Sequence, residues 1–426
     1  MNDRDALFAA ILAHPDEDTP RLALADWLDE HGEAKYAAFV RKQIELADVP
    51  YWDARRIAAW NGDRDSLTGN KYELFEPKLP DGLRYPALTS YRRGFPCHVE
   101  TKGVEPFLDN ADWLVAQLPL QALTVRPEQR RWRESVDLAA LLASPHLARL
   151  KQLNFNLARL SADTVWEVNA CPHLANVTEL SFEFAGLDAP GLARVFRPPL
   201  VERLESLRFH ECSLRWRDLA AGLPGAGGPH RLKRLVVSEY SSAYSSNAVA
   251  FDAPVVHGLT EFEIFGYEMG PRVFQALCES PVVRGLESLT LSKTNPGVPG
   301  AKALAACAEL RSLKRLRLTS NRIGPMAATA LARSPHPSAL QVLDLSDNPL
   351  GDKGAIALAE AAFLANLVEL DLSSCDIGDA GAEALMNAIP ADKMLHLSVG
   401  SVGQREVLSA GVRKRLRDKF GDRVSA

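Results

Sequence analysis

The stretch Leu340–Asn366, LQVLDLSDNPLGDKGAIALAEAAFLAN, decides the fold because it holds a complete strand, loop and helix. Leu343 and Leu345 alternate with residues that point the other way, which is the period-2 pattern of a strand with one buried face. The run DNPLG then breaks the strand in a tight loop, and the alanine-rich run Ala355–Ala362 predicts a helix. A unit this small cannot bury its own apolar face, so it requires copies of itself.

Copies of this unit recur along most of the chain at a nearly constant spacing. Eleven matches to its strand pattern follow one another in steps of 27 to 30 residues, over about 280 residues. Such spacing is the signature of a stacked repeat array, because every unit must present the same inward pair to its neighbours. The matches begin at Leu120, Leu150, Val177, Leu204, Leu232, Leu259, Leu286, Leu313, Leu340, Leu367 and Met394.

The repeat pattern LxxLxLxxNxIGxxGAxALA resembles the leucine-rich repeat in its ribonuclease-inhibitor-like form. Gly354-Ala355 and Gly381-Ala382 fill the helix positions of that pattern. The resemblance implies an α/β fold, a leucine-rich-repeat solenoid curved into a horseshoe, with parallel strands on the concave face and helices on the convex face. The Asn/Cys position of the family is occupied by Cys212, Asn321, Asn348 and Cys375, whereas the middle repeats depart from it.

A small helical domain precedes the array at residues 1–48. The runs AAILAHPDEDTPRLALADWLDEHGE and FVRKQIEL are similar to the bacterial repeat-companion domain, which has no assigned activity. Thr19-Pro20 predicts an N-cap followed by proline at the first helical position. The acidic and histidine residues between His14 and His31 could suggest a metal site, but they show no metal-specific spacing. Acidic residues are common at helix N-termini, so we predict no metal.

The rest of the chain completes the domain organisation. We predict an irregular connecting segment at residues 49–92, the solenoid at 93–400 and a C-terminal capping helix at 401–426. Within the solenoid, residues 239–254, EYSSAYSSNAVAFDAP, lack a helical pattern and predict a mobile or irregular outer segment. The basic C-terminus carries an apolar stripe at helical spacing, which favours a cap over a phosphate- or membrane-binding patch.

Composition limits the remaining classes of function. The net charge of −5 and the pI near 6.1 argue against nucleic acid as the default ligand. No apolar run approaches the roughly 18 residues of a membrane-spanning helix, and the acidic start does not resemble a signal peptide. The six cysteines form no CxxC motif. We therefore expect reduced thiols, a cytoplasmic protein and no cofactor.

Residues 49–92 allow two interpretations. Aromatic residues and arginines alternate there with acidic residues, as in Tyr51, Arg55, Asp53 and Tyr85. Such a segment could stack against single-stranded nucleic acid, or it could be the packing that joins a helical domain to the end of a solenoid. Because its acidic residues offset its basic ones, the packing interpretation is favoured.

The outward strand positions of the array supply the largest ordered and chemically varied surface that the sequence specifies. Their charges alternate between neighbouring strands, so they could pair with each other across the sheet or recognise a partner of complementary charge. Both readings stay open for Arg315, Arg317 and Asp344. The candidate protein-binding residues are Glu183, Arg208, His210, Arg234, Glu261, Glu263, Phe265, Arg315, Arg317, Asp344 and Asp371.

The function that these observations favour is a non-enzymatic scaffold that binds a partner protein on the concave face. No nucleophile–base arrangement, phosphate loop or metal motif supports catalysis. Family resemblance adds one alternative, a regulator of an enzyme such as a nuclease inhibitor or an activator of Ran-type GTPases. The basic C-terminus and the mixed face fit that alternative poorly. Nucleic-acid binding through residues 51–93 is the other alternative.

Overall fold

The computed structural model describes residues 2–50, 53–62, 75–86, 91–127, 137–156, 160–187, 189–214, 230–238, 251, 256–400 and 407–425. The chain divides into two compact units, here called the N-terminal unit (up to Ser206) and the C-terminal unit (from Leu207). The predicted irregular segment 239–254 lies outside the described residues, apart from Phe251.

The N-terminal unit joins the small helical region to the first repeats. Its strand His98–Lys102 pairs antiparallel with Leu83–Arg84 on one side and parallel with Ala122–Arg126 on the other. The other strands are Tyr91–Arg92, Phe95–Pro96, Gln152–Asn156 and Glu179–Glu183. The helices are Asp3–Ala13, Thr19–Glu30, Ala34–Glu45, Ala54–Gly62, Glu105–Gln117, Ala139–Leu142, Ala162–Ala170, Ala189–Val195 and Leu200–Arg203, with 3-10 turns at Pro145–Arg149 and Pro172–Leu174.

The first three helices pack around an aromatic core that extends beyond them. Tyr36 of the third helix contacts Phe39 and also Phe75 and Phe95, which lie outside the helical region in the sequence. The Tyr36 hydroxyl donates a 2.7 Å hydrogen bond to the carbonyl of Gly94. No local sequence pattern predicts that Tyr36 anchors this region, because Phe75, Gly94 and Phe95 are about 40 to 60 residues away.

One capping prediction was wrong. Thr19 is the first residue of the second helix, and Asp18 occupies the N-cap position without a side-chain capping bond. The Asp18 carboxylate instead lies 3.5 Å from the Arg93 guanidinium. A charged partner brought in by the tertiary fold therefore replaces the local N–H groups that an N-cap residue usually binds.

The C-terminal unit consists of strand–loop–helix repeats whose strands are parallel. Its strands are Ser206–His210, Arg234–Ser238, Glu261–Phe265, Ser288–Ser292, Arg315–Arg317, Val342–Asp344, Glu369–Asp371, His396–Ser398 and Val424–Ser425. Its helices are Gly270–Glu279, Gly297–Ala306, Pro325–Ala332, Gly351–Ala359, Asp379–Ala388 and Ala410–Phe420, with 3-10 turns at Pro281–Val283, Ala308–Ser312, Ala362–Asn366 and Gly421–Arg423.

The strand register follows the repeat spacing seen in the sequence. Each predicted strand begins two residues after the first residue of its match, so that Leu340 precedes Val342–Asp344. Equivalent residues pair directly, as Leu316 does with Leu343 and Leu343 with Leu370. Leu343 and Leu345 are buried, as their alternation predicts. The predicted α/β solenoid of parallel strands alternating with helices, with helices at the N-terminus, is confirmed.

The loops after the strands are held by a ladder of buried side-chain amides. Asn348 accepts hydrogen bonds from the N–H groups of Asn321 and Ile323 at 2.8 and 2.9 Å. Its amide donates to the carbonyls of Leu318 and Leu345 at 2.9 and 2.8 Å. Each such side chain thereby satisfies the backbone of its own repeat and of the preceding one.

The last helix, Ala410–Phe420, covers the end of the C-terminal unit. Val412, Leu416 and Phe420 are buried on its inner side, and the Ser409 side chain caps its N-terminus. Beyond it, Val424–Ser425 pairs parallel with His396–Ser398. These contacts account for the apolar stripe that the sequence shows among the basic residues.

Candidate protein-binding face

The outward side chains of the parallel strands in each unit form a surface that we call the strand face. Along any strand the alternate residues enter the core, as Leu153 and Phe155 do between Gln152 and Asn156. In the C-terminal unit the register places Glu261, Ser288 and Arg315 in one row. The next row contains Glu263, Thr290, Arg317, Asp344 and Asp371. The array therefore brings together side chains that lie 27 residues apart.

Four of the predicted charged residues form two ion pairs between neighbouring strands. Arg234 Nε lies 3.2 Å from Glu261 Oε2, and Arg317 Nε lies 2.6 Å from Asp344 Oδ2. Each pair joins adjacent strands, because the two members occupy register positions on neighbouring repeats. Ladder pairing thus accounts for these four residues in the free protein.

Asp344 and Asp371 have the same local structure in successive repeats. Asp344 Oδ1 accepts hydrogen bonds from the Ser346 N–H and hydroxyl, at 3.0 and 2.6 Å. Asp371 Oδ1 does the same with Ser373, at 2.9 and 2.6 Å. These bonds turn the chain at the end of the strand and fix both carboxylates side by side. Asp344 is buried, whereas Asp371 is partly exposed.

Arg315 lies at the centre of the face and is only 6% exposed. It acts electrostatically on Glu261 and Glu369, two carboxylates in its own row. Burial raises the pKa of both carboxyl groups, and the attraction of Arg315 opposes that rise. Arg315 therefore belongs to the charge balance inside the face rather than to its accessible part.

A smaller set of the predicted residues has exposed or partly exposed side chains. Arg208 is exposed, and Glu263 is partly exposed. Phe265 is partly exposed, and Lys293 Nζ lies 4.9 Å from the centre of its ring, within cation–π range. His210 Nδ1 lies 2.6 Å from the Ser238 hydroxyl, which orients the imidazole. A partner approaching the strand face would meet these groups and Asp371.

Glu183 is the predicted residue whose surroundings the sequence reading missed most completely. The amide of Asn154 donates to its Oε1 at 2.9 Å, and the amide of Asn156 donates to its Oε2 at 2.7 Å. Asn156 and Glu183 are register partners. Their 27-residue separation is the repeat spacing, so the sequence could have predicted this contact. It was missed because only charged side chains, and not uncharged polar ones, were assigned to the rows of the face. Lys293 and Phe184 were missed as well.

The arginines of the connecting segment contact groups within the protein. Arg56 donates to the carbonyls of Leu46 and Val49, at 3.0 and 2.8 Å. Arg84 pairs with buried Glu100, and Arg55 pairs with Asp53. Tyr51, Trp52 and Tyr72 lie outside the described residues. The described contacts are those of a packed connection, and they leave these guanidinium groups already engaged.

The acidic turn, residues 14–18, begins the stretch His14–His31, whose acidic and histidine residues could suggest a metal site. Asp16 accepts a 2.7 Å hydrogen bond from Gln121 and lies 3.3 Å from Lys151 Nζ. Arg21 donates to the carbonyls of Glu17 and Pro15, and burial lowers its pKa to about 10. The turn thus connects the helical region to the first repeats. Among the described residues, no group of three or more His, Cys, Asp and Glu side chains has an arrangement that could hold a metal ion.

The cysteine thiols have structural contacts. Cys171 Sγ donates to the Leu142 carbonyl at 3.2 Å, and Cys375 Sγ donates to the Leu345 carbonyl at 3.0 Å. Burial raises the pKa of the Cys97 thiol to about 11 and that of Cys375 to about 12. These thiols are consequently weak nucleophiles.

None of the helices in the described part of the chain is both long and apolar enough to cross a membrane.

Comparisons with known proteins agree with this geometry. A family model described as "Leucine Rich repeat" matches residues 309–332, 336–359 and 364–386. No curated protein sequence matches the chain. A chain of the yeast Rad7–Elc1 complex is similar in structure, with a TM-score of 0.52 and 15% sequence identity over 95% of this chain and 92% of that one. An internalin (InlF) of Listeria monocytogenes has a TM-score of 0.38 and 16% identity, over 72% of this chain and 78% of that one.

Proposed function

We propose that this chain, a leucine-rich-repeat protein, is a non-enzymatic scaffold that binds a partner protein through its strand face. The observation that carries the proposal is that the charged side chains of that face differ in their pairing and exposure. Arg234 pairs with Glu261 and Arg317 pairs with Asp344. The carboxylates of Glu263 and Asp371 are partly exposed beside these pairs, and the Arg208 side chain is exposed. Charges held in a rigid pattern favour recognition of a complementary surface.

Further support comes from the residues that the proposal does not use. Cys97, Cys171 and Cys375 are buried thiols with a raised pKa or a carbonyl contact, and the His210 imidazole contacts the Ser238 hydroxyl. The six cysteines are free thiols, which fits the cytoplasm as the proposed compartment. The Rad7 chain was solved in a complex with Elc1, and a protein partner is proposed here as well.

The N-terminal helices are proposed to be a repeat-companion domain that supports the first repeats. Residues 1–48 carry the sequence pattern, and the acidic turn supplies the contacts to Gln121 and Lys151. The division at 49–92, 93–400 and 401–426 remains the proposed organisation of the rest. A captured partner that proved to be a nuclease or a GTPase would place the protein among the regulators of enzymes.

The experiment that tests the proposal is affinity capture from a lysate of the source cell with two charge-balanced variants. The strand-face variant combines Arg208→Glu with Glu263→Lys. The control variant combines Lys302→Glu with Glu360→Lys, two exposed residues on the helix side of the repeats. Both keep the net charge, so a general electrostatic effect would alter them equally. Arg315 and Arg317 are left intact because they are buried or paired, and reversing them would disturb the fold.

Quantitative mass spectrometry of the captured proteins should show one partner reduced at least about tenfold with the strand-face variant, since a reversed charge at an interface costs several kcal/mol. The same partner should be recovered fully with the control variant. Equal recovery with wild type and both variants would exclude the strand face as the binding surface.

A further inference from the structure

The N-terminal unit carries four polar side chains on two neighbouring strands of its strand face. We call Asn154, Asn156, Ser181 and Glu183 the acceptor cluster. Asn154 is in register with Ser181, and Asn156 is in register with Glu183, so the cluster occupies two adjacent rows. The residues that separate them along each strand are buried in the core. The four side chains therefore point to the same side of the sheet.

The Glu183 carboxylate is fixed in place by neutral groups. Each of its oxygens accepts one amide hydrogen bond, from Asn154 at 2.9 Å and from Asn156 at 2.7 Å. Among the described residues, no basic side chain forms an ion pair with it. Each oxygen keeps further acceptor capacity, because a carboxylate offers about four lone-pair positions. The strand face thus presents an oriented negative charge with which no cation in the described part of the chain forms an ion pair.

Two other atoms of the cluster lack hydrogen-bond partners. Ser181 is only 7% exposed, and its hydroxyl has no partner among the described residues. The Asn154 carbonyl oxygen, Oδ1, is also buried without a partner in that part of the chain. Buried polar atoms in folded proteins are almost always paired, so unpaired ones beside a fixed carboxylate indicate a missing donor.

We propose that the acceptor cluster binds a basic side chain, lysine or arginine, of the partner protein. An ammonium or guanidinium group carries several N–H donors and no acceptor, which complements a carboxylate, an amide carbonyl and a hydroxyl oxygen. This inference rests on the proposed function and adds the chemistry of the partner at one position of the face.

A direct binding measurement tests the inference with a defined probe. The probe is a fluorescein-labelled peptide of three lysines separated by Gly-Ser, and its control has norleucine in place of lysine. Fluorescence anisotropy with the full-length protein at low salt should show the lysine peptide binding and the norleucine peptide failing to bind. Glu183→Gln should weaken binding at least tenfold. Glu167→Gln, which removes an exposed carboxylate from the helix side of the same unit, should change it less than twofold.

Ser181→Ala supplies an independent readout should Glu183→Gln lower the thermal midpoint. Because the Ser181 hydroxyl has no hydrogen-bond partner among the described residues, its removal should leave the thermal midpoint unchanged or higher. Lysine-peptide affinity should nevertheless fall about threefold. A serine with a purely structural role would change the thermal midpoint and leave the affinity alone.

The inference is overturned if Glu183→Gln and Ser181→Ala bind the lysine peptide as wild type does. It is also overturned if Glu183→Gln and Glu167→Gln weaken binding equally, since only net charge would then matter. Either result would leave the proposed function intact, provided that the strand-face variant still loses its captured protein. Glu183→Gln could instead lose peptide binding while the strand-face variant captures the same proteins as wild type does. That result would support the inference and contradict the proposed function.

Discussion

At the scale of single residues, buried side-chain amides hold the repeat loops in place through hydrogen bonds to their backbone groups. Asn348 is 1% exposed and makes five hydrogen bonds to backbone groups, two as acceptor and three as donor. In the preceding repeat, Asn321 accepts from the N–H groups of Thr294 and Asn295, at 2.6 and 3.0 Å. The Asn/Cys position of the repeat is therefore a hydrogen-bonding position, and its chemistry explains why the loops have one geometry.

Replacing Asn348 with alanine should destabilise the protein by about 3 kcal/mol or more, since each buried backbone group left unpaired costs about 1–3 kcal/mol. Urea unfolding followed by circular dichroism would measure this loss as a lower midpoint. Lys353→Ala, at an exposed position in the helix that follows, serves as the control and should change the free energy of unfolding by less than about 0.5 kcal/mol. Similar midpoints for both variants would contradict the ladder.

Glu369 links the stability of the strand face to pH. Burial, with a smaller contribution from Asp371, raises its pKa above the ordinary value of 4.5, although His396, Arg315 and Arg317 oppose the rise. A carboxyl group whose pKa is higher in the folded state binds its proton more tightly there, so stability falls as the pH rises through that range. The charged form is thus a net cost at neutral pH.

Glu369→Gln should consequently raise the thermal midpoint at pH 7, and the gain should disappear below about pH 4.5, where Glu369 itself is protonated in both states. Scanning calorimetry at several pH values, with exposed Glu360→Gln as the control, would show this. A glutamine variant less stable than wild type at pH 7 would mean that the attraction of the neighbouring cations exceeds the cost of burial.

At the scale of elements, the sequence predicts strands far better than it predicts the roles of their outward residues. Leu316, Leu343 and Leu370 could be placed because apolar periodicity alone fixes an inward position. Arg315 could not be judged, because its 6% exposure depends on the side chains of neighbouring repeats that cover it. Rows of outward residues follow from the spacing, whereas burial within a row depends on side-chain conformations that the spacing does not specify.

Helix starts show the same dependence on neighbouring repeats. Asp352, in the first turn of Gly351–Ala359, accepts hydrogen bonds from the N–H groups of Gly378 and Gly381, at 2.7 and 3.0 Å. These N–H groups belong to the start of the next helix, Asp379–Ala388. Asp352 thus caps a helix one repeat later, which leaves little room around Gly381.

Gly381→Ala should destabilise the protein, although alanine is the better helix former by about 1 kcal/mol. An added Cβ would lie 2.8 Å from Asp352 Oδ1 and 2.9 Å from the Ala355 Cβ, so the two helices would have to separate. We expect a net loss of about 1–3 kcal/mol. Gly411→Ala, in the last helix, is the control: its Cβ would meet nothing closer than 3.9 Å, and the urea midpoint should stay equal or rise. Stabilisation by both alanines would refute the close packing.

At the scale of the whole molecule, the helical region is joined to the first repeats by contacts that no local pattern reveals. Arg93 contacts the carbonyl of Asp16 and the carboxylates of Asp18 and Asp48. Gln121, at the start of the second strand of the array, reaches the same turn. Arg93 and Gln121 are 77 and 105 residues away from Asp16 in the sequence. Their pairing is a property of the tertiary fold.

Gly94 lies in close contact with the third helix, and its substitution tests whether the helices and the repeats fold together. Its φ is +88°, and an added Cβ would lie 2.7 to 2.8 Å from atoms of Val40 in the third helix. Gly94→Ala should therefore push that helix away and weaken the Tyr36 hydrogen bond to the Gly94 carbonyl. Gly32→Ala is a matched control, because its φ is +87° and nothing lies within 4 Å of the added Cβ.

Both alanines carry the strain of a positive φ, about 1 kcal/mol, so the difference between them isolates the packing of the helix on the repeats. Hydrogen exchange by mass spectrometry should show faster exchange across residues 34–45 in Gly94→Ala than in Gly32→Ala. If the helical region folds together with the first repeats, exchange should also rise in the strand His98–Lys102. Faster exchange confined to the helices would instead mean that the repeats fold without them, and that the acidic turn only tethers a domain that is stable by itself.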